Sequence, residues 1–318
     1  MYWNYPHIDN KPTSYQLKEH GRRFIASNTF PALAEFLQIK EETLKNKMSN
    51  RQYTQFYIPK PNGEKRLIES PNNALKSLQG QLNKHLQAAY FLVRPKCAYG
   101  ALVATADEAQ PRNIYTNALQ HIGKKWLLNV DIRRFFPSIT SDMVYQALKK
   151  PPFAFNATAA VCLTQLMTFE KRLPTGAPTS PILANIICLG LDERLKELVR
   201  KYDWTYTRFI DDLTFSSFKK FKPKHVEAIE KALSDEGFLI NSKKLNICKI
   251  KDKPAVTGLI LRKKKPDISK RFLTDLEHNI RLYHAMTDDK MLMRQIFTAP
   301  LVQRFRRFLH GQLQFVKF

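Results

Sequence analysis

Three carboxylates carry the chemistry this sequence is equipped to do. Asp131 ends an apolar run, Trp126-Leu-Leu-Asn-Val130. Asp211 and Asp212 stand side by side between Thr205-Tyr-Thr-Arg-Phe-Ile210 and Leu213-Thr-Phe-Ser216. Acidic groups adjoining such apolar segments are costly unless their charge is compensated. A divalent cation compensates it, and Mg²⁺ prefers carboxylate oxygens, water and phosphate oxygens. Two such ions about 3.5–4 Å apart can activate a hydroxyl and steady a departing pyrophosphate. An Asp-Asp pair alone reads as readily as a polar hairpin turn. With Asp131 in its apolar setting the balance moves to a metal site.

The elements that must position these groups are visible in the spacing. Residues 126–131 read as a buried strand, and 205–216 as a hairpin with the two acidic residues as its turn. A second hairpin is expected over 52–69, with Pro61, Asn62 and Gly63 supplying the turn. Leu75, Leu78, Leu82 and Leu86 mark a helix by their three- and four-residue spacing. From Ser180-Pro181 a helical pattern runs to about Tyr202, and Pro223 and Gly237 bracket another helix. Strands are expected around Leu245–Ile250 and Ala255–Leu261. From Ser269 the pattern is helical, with Leu301, Phe305, Phe308, Leu309, Leu313 and Val316 on one stripe. Mixed strands and helices followed by a helical tail indicate an α+β core with a helical appendage.

The charge balance narrows the partner. Among 318 residues, 52 are Lys or Arg and 28 are Asp or Glu, a formal net charge of +24. Such an excess repels itself and is relieved by a polyanion, of which nucleic acid is the commonest. No stretch approaches the ~18 apolar residues that span a bilayer, and the start lacks a basic-then-apolar leader. The four cysteines, Cys97, Cys162, Cys188 and Cys248, show no metal-binding or paired spacing. A soluble, cytoplasmic protein without membrane attachment is expected.

At this point the motifs resemble a family. Asp131-Ile-Arg-Arg-Phe-Phe136-Pro-Ser138 resembles the first catalytic motif of reverse transcriptases. Leu173-Pro-Thr-Gly-Ala-Pro-Thr-Ser-Pro181 resembles their substrate-binding loop, and Phe209-Ile-Asp-Asp212 their Tyr-x-Asp-Asp box. Asn241-Ser-Lys-Lys244 is similar to the motif that follows, and Ile58-Pro-Lys with Gly63-Glu-Lys-Arg66 to the fingers hairpin. Five such strings in the family's order, over roughly residues 52–261, are specific where any one is weak. Asn117-Ala-Leu-Gln-His121 and Val256-Thr-Gly258 resemble two signatures of the bacterial retron branch. From the residues alone, Asn117 and His121 suggest only a structural hydrogen-bonding pair one helical turn apart.

The resemblance implies a right-hand polymerase. An N-terminal helical extension would occupy 1–50, fingers 51–125, a palm 126–265 with fingers-associated helices at about 150–200, and a thumb 266–318. It implies that Asp131, Asp211 and Asp212 are catalytic and that they bind two Mg²⁺ ions (Mn²⁺ as an alternative) together with the main chain of Ile132. Lys65 and Arg66 would clamp the triphosphate, a point charge beside a fork. Thr175 and Gly176 would line the nucleotide site, and Phe136 would exclude a 2′-hydroxyl. Lys244 would protonate or steady the pyrophosphate, with Lys243 a one-residue alternative. Asn117, His121, Arg262, Lys263, Lys264, Arg304 and Arg307 would meet nucleic acid; charge runs of this kind are also common as plain solvated faces.

The pattern departs from the family in three places. Phe209-Ile210 stands where a Tyr and a smaller residue are usual, Thr175 stands where Gln is common, and 101–115 is longer than expected. The retron likeness implies a cognate structured non-coding RNA as template and primer, dNTPs as substrates, and a branched RNA–DNA product. It further implies a separate effector protein, a role in antiphage defence, and RNA removal by a host ribonuclease H. Two rivals remain: a reverse transcriptase of another bacterial group, intron-type or diversity-generating, and a non-catalytic RNA-binding scaffold with the same fold.

Overall fold

A computed structural model describes residues 11–60, 63–288 and 299–316. Three helices come first, α1 (Ser14–Ala26), α2 (Phe30–Phe36) and α3 (Glu41–Ser49). Thr13 and Gln16 close a reciprocal capping box at the start of α1, which satisfies two of the amide groups that a helix end leaves open. Strands β1 (Tyr53–Pro59) and β2 (Lys65–Pro71) pair antiparallel as a two-stranded hairpin. Gly63 adopts φ +82° beside its turn; Pro61 and Asn62 lie outside the described residues. Helix α4 (Asn73–Phe91) is capped by the Asn72 side chain, and Leu75, Leu78, Leu82 and Leu86 are all buried, as their spacing requires.

Then come α5 (Ile114–Leu119), β3 (Trp126–Asp131), α6 (Phe135–Ser138), α7 (Ser141–Lys149) and α8 (Ala157–Met167). The helical pattern after Ser180 is two helices, α9 (Ser180–Ile187) and α10 (Leu189–Tyr202), separated at Cys188. Apolar periodicity runs through the break because both halves bury residues in one core. Next are β4 (Thr205–Phe209), β5 (Asp212–Ser217), α11 (Pro223–Asp235) and β6 (Asn246–Lys249). The strands form an antiparallel sheet in the order β4-β5-β3-β6. β5 is buried from Leu213 to Ser217, and Leu128, Val130, Leu213 and Phe215 join the main core with Leu183 and Leu191.

The expected strand over 255–261 is a hairpin instead: β7 (Ala255–Val256) and β8 (Leu259–Leu261) pair antiparallel across Thr257-Gly258. Both turn residues have positive φ, +48° and +86°, as a two-residue hairpin turn demands. β9 (Pro266–Asp267) adds a third strand, so the expected thumb boundary at 266 falls inside one small sheet. Two helices follow, α12 (Lys270–Asp288) and α13 (Ala299–Val316). On α13 Leu309 is buried while Phe308 and Leu313 remain exposed, so the apolar stripe is only partly covered. Phe315, off the expected stripe, packs on Phe272 at 4.8 Å between ring centres. No described helix is long and apolar enough to cross a membrane.

Candidate active site

The sheet brings the three carboxylates together by strand register. Asp131 and Asp212 are direct cross-strand partners on β3 and β5. Phe209 pairs with Asp212, so the two-residue turn is Ile210-Asp211 and not the expected Asp-Asp. Asp212 is thus a strand residue, and Asp211 sits at the tip, where its carbonyl accepts the Ile132 N–H at 3.3 Å. Ile210 has φ +60°, a strained conformation for a β-branched side chain.

A buried network holds that turn. Arg208 is wholly buried and forms two bonds to Asp192, Nε to Oδ1 at 2.9 Å and Nη2 to Oδ2 at 2.7 Å. Its Nη1 donates to Asn185 at 2.7 Å and to the Ile210 carbonyl at 3.3 Å. Asn185 in turn donates to the Gly100 carbonyl at 2.9 Å. A Cβ on Gly100 would lie 2.7 Å from the Ile210 side chain, so this close approach needs glycine. Asp192, Asn185 and Gly100 escaped the sequence reading because their partners lie far away in the chain; an acidic residue within the apolar stripe of α10 is the trace they leave.

Asp131 is engaged on both oxygens. Lys244 Nζ donates to Oδ1 at 2.9 Å and Asn241 Nδ2 to Oδ2 at 2.8 Å. The Asn241 N–H also donates to the Asp131 carbonyl at 2.8 Å. Lys244, presented by a short 3-10 turn over Ser242–Lys244, is thus the lysine of this turn that hydrogen-bonds Asp131. Its ammonium is pushed up, first by the hydrogen bond to Asp131. Enclosure by the protein raises the Asp211 carboxyl, the charge of Asp131 adds to that rise, and Lys244 and Arg66 oppose it. Asp212, although its side chain reaches solvent, is pushed up to about 7 by enclosure and then by Asp211 and Asp131. The acidic charge here exceeds what the neighbouring cations neutralise.

That excess fits a divalent cation. Among the described residues no cluster of His, Cys, Asp or Glu forms a ready-made cage, and Asp131 turns partly to Lys244 and Asn241. Mg²⁺ characteristically takes one or two carboxylates and completes its shell with water and substrate phosphates, so the donor set suits an ion that arrives with a triphosphate.

Around the carboxylates, Lys65 and Arg66 are exposed on β2. Arg66 stands close enough to Asp211 to draw its carboxyl down. Phe135 enters the core against Phe238, with 5.7 Å between ring centres, and Phe136 beside it is only half-buried. Thr175 and Gly176 are half-buried, Gly176 with φ +125°. Ile132 is buried, one residue past Asp131.

Other expected contacts are redistributed. Asn117 and His121 are interior, at 1% and 0% exposure, so the expectation that they touch nucleic acid is corrected. His121 hydrogen-bonds Ser216 at 2.7 Å and Thr207 at 2.8 Å, bracing the sheet. The two group signatures meet: the Thr257 hydroxyl donates to the Ile114 carbonyl on α5 at 3.2 Å. Ile114, Ala118, Val256 and Leu259 share a second core against which Phe315 packs. Arg262 pairs with Asp267 across the β8–β9 turn, with Lys263 and Lys264 exposed there and Arg304 and Arg307 exposed on α13. The long segment 101–115 is fastened to the helices: Arg94 bonds Glu108 at 2.8 Å, and Ser14 N–H bonds Asp107 at 2.8 Å.

Comparison with known proteins agrees with this geometry. The family model described as reverse transcriptase (RNA-dependent DNA polymerase) matches residues 58–261. The chain is 30% identical over 259 residues to the retron Ec86 reverse transcriptase of Escherichia coli, covering 80% of this chain and 77% of that one. It is 33% identical to the retron Mx65 reverse transcriptase of Myxococcus xanthus, covering 66% of this chain and 51% of the relative. With the retron Mx162 enzyme of the same organism identity is 31%, covering 66% and 47%. The chain spans about half the length of these two Myxococcus relatives. A solved structure of Candida albicans telomerase, in complex with a TWJ fragment of telomeric RNA, matches with TM-score 0.50 at 11% identity, over 89% of this chain and 58% of that one. At that identity the likeness concerns the fold alone.

Fold and site together define an α+β polymerase of the right-hand class. Within it, the chain belongs to the retron-type reverse transcriptases, RNA-directed DNA polymerases that depend on divalent metal.

Proposed function

We propose that this chain copies a cognate structured RNA into DNA, with Asp131, Asp211 and Asp212 as its catalytic carboxylates. Asp131 and Asp211, with the main chain of Ile132, would hold two Mg²⁺ ions, and Asp212 would contribute charge more than a bond. The ions supply activation of the attacking hydroxyl and charge neutralisation at the pyrophosphate. Lys65 and Arg66 bind the β- and γ-phosphates, Phe136 lies under the sugar and excludes a 2′-hydroxyl, and Thr175 and Gly176 line the pocket. Lys244, whose ammonium reaches the carboxylates through its 2.9 Å bond to Asp131, delivers a proton to the leaving group. The four-stranded sheet serves as palm and the β1–β2 hairpin as fingers. Helices α12 and α13 serve as thumb, where Lys263, Lys264, Arg304 and Arg307 meet phosphates. The observation that carries this reading is the cross-strand pairing of Asp131 with Asp212, with Asp211 in the adjoining turn.

The retron branch supports a finer statement. Synthesis starts from an internal 2′-hydroxyl of a dedicated RNA and leaves a branched RNA–DNA molecule. A host ribonuclease H trims the template, and a separate effector protein bound to the complex acts in antiphage defence. Expression of the gene with its flanking DNA tests the finer reading. A short branched species of defined length is expected; linear extension products alone would refute 2′-priming while leaving polymerisation intact.

A further inference from the structure

Glu69 lies on the hairpin strand β2, three residues beyond Arg66, and is only 1% exposed. Its carboxylate accepts two bonds from the Arg172 guanidinium, from Nη1 at 2.5 Å and Nη2 at 2.8 Å. It also accepts the Thr175 backbone N–H at 3.3 Å. The main chains are joined as well, because the Glu69 N–H donates to the Thr175 carbonyl at 2.7 Å. Gln55, its cross-strand partner on β1, donates to Glu69 at 3.2 Å. A Cβ on Gly176 would lie 3.0 Å from the Ile68 side chain and 3.1 Å from the Glu69 carbonyl, so loop and strand touch without a side chain between them. On its far side this segment is tied to the first catalytic motif: Leu173 N–H donates to Ile139 at 2.9 Å, just after α6 and Phe136.

β1 is exposed from Thr54 to Pro59, so the hairpin meets the rest of the protein near its base, through this joint and through Tyr53, which stacks on Phe169 at 4.3 Å. A buried ion pair stabilises a fold no better than well-packed apolar groups of the same size. What a bidentate Arg–carboxylate pair adds is a fixed, planar geometry. We propose that the Glu69–Arg172 pair is a positioning latch for the incoming nucleotide. It sets the separation between the phosphate-binding Lys65 and Arg66 on the hairpin and the pocket lining of Thr175, Gly176 and Phe136. The proposal rests on the reading of those residues as nucleotide ligands. Neither latch residue touches the nucleotide; each acts through its neighbours.

Steady-state kinetics on an RNA template test the latch, with melting temperature and RNA affinity measured on the same proteins. Glu69→Gln keeps the side chain's shape and removes its charge. It is expected to raise the dNTP KM about tenfold with kcat changed less than about threefold, since misplacement weakens binding ahead of chemistry. RNA affinity is expected to stay unchanged. Arg172→Lys keeps the charge but loses the fork, and is expected to show the same split; it carries the test if Glu69→Gln does not fold. The double variant is expected to be no worse than the worse single one. An unchanged KM in a folded single variant would overturn the latch, as would losses of kcat that merely track melting temperature. Arg66→Ala separates the two layers. If it leaves KM unchanged the nucleotide reading itself fails, whereas a raised KM there with a normal KM in Glu69→Gln refutes the latch alone.

Discussion

Asp131, Asp211 and Asp212 illustrate how a register can make an acidic site out of apolar strands. Antiparallel pairing sets residue 131 opposite 212, and the positive φ of Ile210 carries 211 into the turn. Enclosure first, and then the charges of Asp211 and Asp131, push the Asp212 carboxyl up to about 7, with Lys244 opposing. His121 is a residue-scale case of the opposite kind. Burial pushes its imidazole down to about 3, while in the unfolded chain it titrates near 6.5. Between those values the unfolded state binds the extra proton. The stability that neutral His121 contributes is therefore present above pH 6.5 and is lost as the pH falls towards 3. At pH 5 the loss amounts to about 2 kcal/mol. Thermal melts from pH 8 to 5 should show this slope, and His121→Asn should flatten it; identical slopes would place the acid sensitivity elsewhere.

At the scale of elements, much was legible from spacing. The strand 126–131, the leucine-marked α4 and the helix between Pro223 and Gly237 follow from local patterns that the tertiary structure leaves unopposed. The acidic hairpin was legible in outline but not in detail, and the hairpin over 255–261 was expected as a single strand. In the acidic one the turn shifts by one residue, because a buried Arg208 anchors the Ile210 carbonyl from beneath. In the other, the Thr257-Gly258 turn divides what reads as one strand. The convergence of the three carboxylates was expected from sequence, and the strand register brings them together. Glu69 and Arg172, by contrast, lie about a hundred residues apart and leave no local pattern, and Asp192 leaves only its place in the apolar stripe of α10. Asn117 and His121 show the reverse: motif likeness marked them, and burial assigns them to the interior. The Arg208–Asp192 pair gives an element-scale prediction. Removing one partner of a buried pair costs roughly 3–5 kcal/mol. Asp192→Asn should therefore lower the melting temperature sharply and reduce synthesis even well below the melt, as the Ile210-Asp211 turn loses its anchor. A variant with normal activity and stability would show that the turn holds itself.

At the scale of the whole molecule, the net charge of +24 is the dominant property. It disfavours compactness and favours a polyanion. If binding neutralises 6–10 phosphates, RNA affinity should fall roughly 10³–10⁵-fold between 50 and 200 mM salt. Removing Arg304 and Arg307 together should make that dependence shallower, by about one to two in the log–log slope. Filter binding across a salt series measures both, and an affinity indifferent to salt would contradict the phosphate contacts. The small sheet β7-β8-β9 joins this scale to the others. It packs against α5 and seats Phe315 of α13, so the four-stranded sheet, through Leu127, and the last helix share one core.

The most direct test of the account is primer extension by Asp211→Asn on an RNA template, titrated with Mg²⁺, alongside RNA binding. The carboxylate account predicts a loss of synthesis of at least about 10³-fold with RNA affinity within about twofold of the unmodified protein. Continued extension by the variant, or synthesis by the unmodified protein after divalent ions are chelated, would contradict it.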